Sequence, residues 1–117
     1  MRKRILLLED EKSILELIQE ILENEGYEVF AFDHYESVDS IMEFIPQLIM
    51  LDVRLSNGYG HLLCEELKAN PQTSKIPVIL VSAASNLEKI ANDYGADNFL
   101  SKPFNVDELV SLVKKYV

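Results

Sequence analysis

The run LIMLD, residues 48–52, decides the fold class of this chain, because four apolar residues are followed directly by the carboxylate of Asp52. Continuous apolar runs are typical of parallel strands that are covered on both faces. In an open α/β sheet, ligands bind outside the carboxyl ends of such strands. Asp52 is therefore predicted to lie at the functional edge of a buried sheet and to be a candidate reaction site.

Short apolar runs alternate with segments of helical period along the whole chain. The predicted strands are Ile5–Leu8, Tyr27–Phe32, Leu48–Val53, Pro77–Val81 and Asn98–Leu100. Parallel strands need crossover connections, and the intervening helices supply them. The pattern predicts an α/β fold, a doubly wound five-stranded parallel sheet in a three-layer (βα)5 sandwich.

Breakers and caps bound the predicted helices. Gly26 ends the first predicted helix, and Pro46 ends the second, whose apolar stripe includes Ile45. The third is predicted from His61 to about Ala69 and the fourth over Leu87–Tyr94. Asn105 caps the last. A glycine-bearing loop is predicted over residues 56–60. Residues 1–117 are expected to form a single domain, because 117 residues with 48% hydrophobic content suit one core.

The charge balance excludes several partners. With 20 Asp and Glu against 11 Lys and Arg, the net charge of −9 repels phosphate backbones and anionic lipid. No apolar stretch has the length of a membrane span or a signal peptide, so we expect a cytoplasmic protein that binds neither nucleic acid nor membrane. The single cysteine, Cys64, is predicted to be a small, half-buried core residue.

Polar residues at other strand ends are predicted to join Asp52. Glu9 and Asp10 follow the first strand, Ser82 follows the fourth, and Lys102 follows the fifth. Several carboxylates packed together would repel one another unless a cation lay among them, which favours Mg²⁺ and its oxygen ligands. Asp10, Asp52 and a backbone carbonyl just after Asp52 are the predicted ligands.

This set of residues suits phosphoryl chemistry. Once a metal neutralises the site, Asp52 can attack phosphorus and form an acyl phosphate. The ammonium of Lys102, the hydroxyl of Ser82 and the backbone N–H groups after it can then bind the phosphoryl oxygens. Each residue alone has a structural alternative, such as a helix-terminal acid or a loop lysine, so the prediction rests on their joint placement.

Four motifs carry a resemblance to a known family. Leu8–Glu11, Leu51–Leu55 with Gly60, Val81–Ala83 and Lys102–Phe104 occur in order across the whole chain. They resemble the motifs of the receiver domain of two-component response regulators. The resemblance implies the flavodoxin-like fold of the chemotaxis response regulator. It also implies a signalling switch that catalyses only its own phosphorylation and slow dephosphorylation.

The resemblance assigns a role to each motif residue. It implies that Asp52 accepts a phosphoryl group from a sensor histidine kinase or a phosphotransfer protein. Mg²⁺ would be bound by Asp10, by Asp52, by the backbone carbonyl of Arg54 and, through a water, by Glu9. The phosphoryl group would be bound by Lys102, by Ser82 and by the backbone N–H of Ala83.

Phe99 would rotate inward with Ser82 and reshape the face of the fourth helix, fifth strand and fifth helix. That face would bind an effector protein, an attached output domain or, after phosphorylation, a second copy of the chain.

The chain also departs from the family pattern. Ser56 stands where the family usually has proline, so the loop after Asp52 is expected to be more mobile. The segment from Ser82 to Lys102 is slightly shorter than in the family, which bears on partner choice. Ala84 and Arg54 occupy positions that influence phosphoryl lifetime, and the sequence leaves that lifetime open.

Three alternatives remain open. A pseudo-receiver would keep the fold as a protein-interaction module without phosphorylation, and indifference to Mg²⁺ would identify it. A phosphatase of the haloacid dehalogenase type needs a second Asp two residues after the nucleophile, where this chain has Arg54. A flavodoxin-like electron carrier needs a phosphate-binding loop after the first strand, which the sequence lacks.

Overall fold

Five parallel strands in one sheet, a short antiparallel hairpin and five helices make up residues 2–117, the part of the chain that this computed structural model describes. The strands are β1 (Arg4–Leu8), β2 (Glu28–Phe32), β3 (Leu48–Asp52), β4 (Arg54–Leu55), β5 (Gly58–Tyr59), β6 (Val78–Ser82) and β7 (Asn98–Ser101). The helices are α1 (Lys12–Asn24), α2 (Val38–Met42), α3 (Gly60–Ala69), α4 (Leu87–Tyr94) and α5 (Val106–Lys114).

The strand order β2-β1-β3-β6-β7 creates a reversal of direction beside β1. The chain moves outward from β1 to β2, then returns to β3 on the other side of β1 and continues outward through β6 to β7. All four pairings are parallel, so the carboxyl ends of the strands share one edge of the sheet. This arrangement confirms the predicted flavodoxin-like, doubly wound α/β fold.

Alternate residues of the central strands fill two separate core layers. In β1, Ile5 and Leu7 pack with residues of α1 and α5, whereas Leu6 and Leu8 pack with residues of α2, α3 and α4. All four side chains are at most 1% exposed. Because both faces are covered, these strands need apolar residues at every position, which explains the unbroken runs in the sequence.

The second helix is shorter than predicted. It ends at Met42, and Ile45, which we expected in its apolar stripe, is 70% exposed with φ of 48°. A residue before proline is disfavoured in the helical conformation, so Pro46 displaces the end of the helix towards the amino terminus. The last helix begins as predicted, because Asn105 and Glu108 form a reciprocal capping box.

Several smaller boundaries also differ from the prediction. The loop predicted over residues 56–60 contains one side of the β4–β5 hairpin, in which Arg54 pairs with Tyr59 and Leu55 with Gly58. The helix α3 begins at Gly60, and β3 ends at Asp52. No helix within residues 2–117 has the length and apolar character needed to cross a membrane.

Cys64 is a core residue, as predicted, but it is fully buried rather than half-buried. Burial raises the pKa of its thiol to about 11, so the reactive thiolate form is scarce near neutral pH. The thiol belongs to the same core layer as Leu63 and Leu67 of α3. It therefore acts in packing.

Gly60 allows the first turn of α3 to pack directly against the end of β3. Its N–H donates to the carbonyl of Val53 at 2.8 Å, and a Cβ at this position would lie 1.9 Å from the carbonyl oxygen of Asp52. That separation is far below van der Waals contact. The backbone that carries Asp52 therefore requires glycine at position 60.

We predict that Gly60→Ala lowers the free energy of unfolding by about 3 kcal/mol, because the methyl group must displace backbone at the end of β3. Urea denaturation of the variant measures this change. Glu65→Ala, at an exposed position of the same helix, is the control and should change stability little. A Gly60→Ala variant as stable as the parent chain would contradict the close packing.

Candidate functional site

Glu9 is a fully buried carboxylate at the carboxyl end of β1. Its backbone N–H donates to the carbonyl of Phe32 at 3.0 Å, which extends the β1–β2 ladder by one residue. Its Oε2 accepts hydrogen bonds from the N–H of Glu11 at 3.1 Å and from Nζ of Lys102 at 3.0 Å. Oε1 lies 2.9 Å from the same Nζ but accepts no well-directed hydrogen bond from any of residues 2–117.

Asp52 ends the neighbouring strand β3, and the sheet register explains its position beside Glu9. Leu8 and Leu51 are paired across β1 and β3, so the residues that follow them emerge side by side. Asp52 is 8% exposed, with Oδ1 accepting from the N–H of Arg54 at 3.4 Å. Its Oδ2 lies 3.4 Å from Nζ of Lys102.

Lys102 places one ammonium between these two carboxylates. Its backbone N–H donates to the carbonyl of Ser82 at 2.9 Å, which continues the β6–β7 pairing past Ser101. From there its side chain reaches back across the sheet edge, and only 16% of that side chain is exposed. The sheet thus brings together three residues that are separated by 43 and 50 positions in the sequence.

Charge and burial oppose each other at this cluster. Burial, followed by the adjacent Asp52, raises the pKa of Glu9 to about 7, although Lys102 acts in the opposite direction. Burial lowers the pKa of Lys102, but its hydrogen bond to Glu9 and the charge of Asp52 outweigh that effect, so its pKa is raised. One ammonium therefore compensates two buried acids incompletely.

Ser82 lies on the other side of Asp52, at the carboxyl end of β6. Asp52 pairs with Val81 in the sheet, and the Oγ of Ser82 accepts from the N–H of Ala84 at 3.1 Å. The site opens to a cavity of about 410 Å³. Its lining residues are Glu11, Asp52, Val53, Arg54, Ser82, Ala83, Ala84 and Lys102.

The remaining predicted residues lie at the margins of this site. Asp10 is exposed, and its Oδ1 accepts from the hydroxyl of Ser56 at 2.6 Å. Arg54 is exposed at the start of the hairpin. Phe99 is half-buried on β7 and packs against the core layer that includes Leu87 and Ala91 of α4.

The carboxylates are divided between different partners in the structure. Within residues 2–117, no three Asp, Glu, His or Cys side chains are grouped closely enough to hold a metal ion by themselves. Glu9 and Asp52 contact Lys102, whereas Asp10 contacts Ser56.

The donor set nevertheless fits Mg²⁺, which is usually bound by one or two carboxylates and completes its coordination with water and phosphate oxygens. Glu9 and Asp52 share the ammonium of Lys102, and burial and the adjacent Asp52 raise the pKa of Glu9, so further positive charge at this edge would stabilise the ionised form of Glu9. A divalent cation at this edge would supply that charge.

A match to a family model decides the identity of the chain. The model of the response regulator receiver domain matches residues 5–114. The chain belongs to this family. It is therefore a CheY-like receiver domain of two-component signalling, and receiver domains are signalling modules rather than conventional enzymes.

Solved receiver domains have the same architecture. The signal receiver domain of a signal transduction histidine kinase from Syntrophus aciditrophicus has a TM-score of 0.82 at 32% identity, over 97% of this chain and 89% of that one. The receiver domain of a sensor histidine kinase from Pseudomonas aeruginosa PAO1, which has a magnesium ion coordinated in its active site cleft, has a TM-score of 0.88 at 24% identity, over 99% and 98% of the two chains. Chemotaxis protein CheY4 from Vibrio cholerae has a TM-score of 0.84 at 19% identity, over the whole of both chains.

Two features of the site were not predicted from the sequence. The first is the direct pairing of Lys102 with Glu9, because the motif pattern assigned Lys102 only to a phosphoryl group. The second is the hydrogen bond from Ser56 to Asp10. The sequence signal for the second was the serine at a position where the family usually has proline, but that signal did not indicate a partner.

The raised pKa of Glu9 predicts a pH-dependent stability. Folded Glu9 holds its proton up to pH about 7, whereas the unfolded residue loses it near pH 4.5. Its contribution to stability is therefore fully present below pH 4.5 and is lost as the pH rises towards 7. In metal-free buffer we expect the free energy of unfolding to fall by about 2 kcal/mol between pH 5 and pH 8.

Denaturant titration at each pH measures this fall in the free energy of unfolding, and Glu9→Gln is the matched control. Glutamine cannot titrate, so the free energy of unfolding of Glu9→Gln should fall by about 2 kcal/mol less than that of the parent chain over the same pH range. An equal fall in the free energy of unfolding in the two proteins would contradict a raised pKa at Glu9.

Proposed function

We propose that Asp52 is the phosphoacceptor of this receiver domain. The observation that carries the proposal is the position of its carboxylate, which lies at the carboxyl end of β3 with the ammonium of Lys102 at 3.4 Å. Ser82, on the next strand, lines the same cavity. A nucleophile, a cation and a hydroxyl donor therefore face one space that can admit a phosphoryl group.

Mg²⁺ is the proposed cofactor. Asp10, Asp52 and the backbone carbonyl of Arg54 would hold it, with Glu9 binding one of its waters. When bound, the ion neutralises the negative charge that Asp52 and an incoming phosphoryl group bring together. The magnesium ion in the cleft of the receiver domain from Pseudomonas aeruginosa supports this assignment, as does the sharing of one ammonium by the carboxylates of Glu9 and Asp52.

The proposed reaction transfers a phosphoryl group from a histidine of a sensor kinase or phosphotransfer protein. A carboxylate oxygen of Asp52 forms a bond to phosphorus as the P–N bond to the histidine breaks, and the imidazole leaves with the electron pair of that bond. Lys102 then pairs with one phosphoryl oxygen. The hydroxyl of Ser82, whose oxygen already accepts from Ala84, has its proton free to donate to another, alongside the N–H of Ala83.

The output proposed for this phosphorylation is a change in the surface formed by α4, β7 and α5. Movement of Ser82 towards the phosphoryl group would open space for Phe99, which is half-buried beside α4. The reshaped surface would bind an effector protein, an attached output domain or a second copy of the chain. We place this activity in the cytoplasm.

The pseudo-receiver is the second candidate function. The observation that favours it is that no three Asp, Glu, His or Cys side chains within residues 2–117 are grouped closely enough to hold a metal ion by themselves. Phosphatase activity is disfavoured because Arg54 occupies the position of the general acid.

We predict that the chain gains one phosphoryl group when it is incubated with acetyl phosphate and Mg²⁺. Intact mass spectrometry measures the gain, and hydroxylamine should remove it, since it cleaves acyl phosphates. Asp52→Asn should fold normally and gain nothing. Asp107→Asn, which makes the same substitution at an exposed site on α5, should be phosphorylated like the parent chain. Phosphorylation of Asp52→Asn would place the acceptor elsewhere.

Binding of Mg²⁺ separates the phosphoacceptor from the pseudo-receiver. At a Mg²⁺ concentration ten times Kd, the linkage relation gives about 1.4 kcal/mol of stabilisation, which corresponds to a rise in Tm of about 5 °C. Asp10→Asn should lose this rise, whereas the exposed control Asp39→Asn should keep it. A melting temperature that Mg²⁺ does not change, together with no phosphoryl gain, would favour the pseudo-receiver.

A further inference from the structure

Ser56 connects the β4–β5 hairpin to the ends of two strands. Its hydroxyl lies 2.6 Å from Oδ1 of Asp10, just after β1, and 3.3 Å from the carbonyl oxygen of Asp33, just after β2. A hydroxyl has one proton to donate, and the shorter distance to an ionised acceptor identifies Asp10 as its main partner. The hairpin turn therefore contacts the proposed metal site through a single side chain.

A second, independent contact holds the same turn. The Oδ1 of Asn57 accepts from the N–H of Tyr35 at 2.8 Å. Gly58 packs against the ring of Tyr35 so closely that a Cβ there would lie 2.6 Å from Cδ2 of the ring. These contacts anchor the turn to the segment after β2, and they do so separately from the hydrogen bond between Ser56 and Asp10.

The hydrogen bond from Ser56 has a defined effect on Asp10. Asp10 is exposed and would otherwise sample several rotamers in water. The bond occupies one oxygen of its carboxylate and fixes the orientation of the group, which leaves the second oxygen for another ligand. Groups that orient a metal-binding carboxylate in this way commonly control metal affinity, and their loss costs about 10- to 100-fold.

We propose that Ser56 is a positioning residue for Mg²⁺ binding, which acts by orienting the carboxylate of Asp10 from the hairpin turn. This inference rests on the proposed function, because it assumes that Asp10 binds the ion. It assigns to the turn a part in the affinity for the cofactor. A proline at this position has no hydroxyl and cannot make the contact.

The test is a Mg²⁺ titration of the unphosphorylated protein, followed by the chemical shifts of its backbone amides. We expect Ser56→Ala to raise the Kd for Mg²⁺ about 10-fold. Ser56→Thr should stay within about 2-fold of the parent chain, because threonine keeps the hydroxyl at an exposed position. Ser111→Ala removes a hydroxyl from an exposed position on α5 and should have no effect.

Asn57→Ala separates orientation of Asp10 from simple anchoring of the turn. It removes the contact with Tyr35 and keeps the hydroxyl of Ser56, so we expect its Kd to stay within about 2-fold of the parent value. A loss of affinity in Asn57→Ala as large as that in Ser56→Ala would overturn the proposal, as would failure of Ser56→Thr to preserve binding.

The proposal and the proposed function fail in different ways. If the parent chain binds Mg²⁺ and Ser56→Ala binds it equally well, Ser56 has no positioning role and the phosphoacceptor assignment is unaffected. If the parent chain itself binds no Mg²⁺ and accepts no phosphoryl group, the proposed function is overturned and the role of Ser56 with it.

Discussion

The pairing of one ammonium with two buried carboxylates is the interaction on which the site depends. Glu9 and Asp52 emerge from adjacent strands in a fixed register. The sheet therefore holds their negative charges close together, even though their repulsion lowers the stability of the fold. Lys102 can reach both only because β6 and β7 carry it to the same edge. The cation reduces the repulsion, although burial and, after it, the adjacent Asp52 still raise the pKa of Glu9.

Under the proposed function, the sharing of one ammonium by two acids would make this edge suitable for the exchange of ligands. A cluster that was fully neutralised would be more stable, yet it would have little affinity for a further cation or for the phosphoryl group that the cation accompanies. Here the buried Oε1 of Glu9 has no well-directed donor in the described part of the chain, and Lys102 contacts the carboxylate that we propose as the acceptor. Under the proposed function, the same ammonium would stabilise the resting site and later bind a phosphoryl oxygen.

The backbone around Asp52 is held from the opposite side by the hairpin and by α3. Gly60 packs against the carbonyl of Asp52, and the turn at Ser56 and Asn57 is hydrogen-bonded to residues that follow β1 and β2. These contacts join the ends of three strands through local segments rather than through the core. They anchor the loop after Asp52 at several points, and its mobility, expected from the serine in place of proline, stays a prediction.

The sequence by itself determined the fold class, the strand-end residues and the family, because apolar runs, helical periods and the order of motifs are visible along the chain without knowledge of tertiary contacts. Asn105 is one example, since its cap is formed by Glu108 only three residues away. Tertiary structure alone decided that Lys102 pairs with Glu9 and that Ser56 bonds to Asp10. These two contacts join residues 93 and 46 positions apart, and their geometry follows from sheet register and side-chain orientation, which no local pattern encodes.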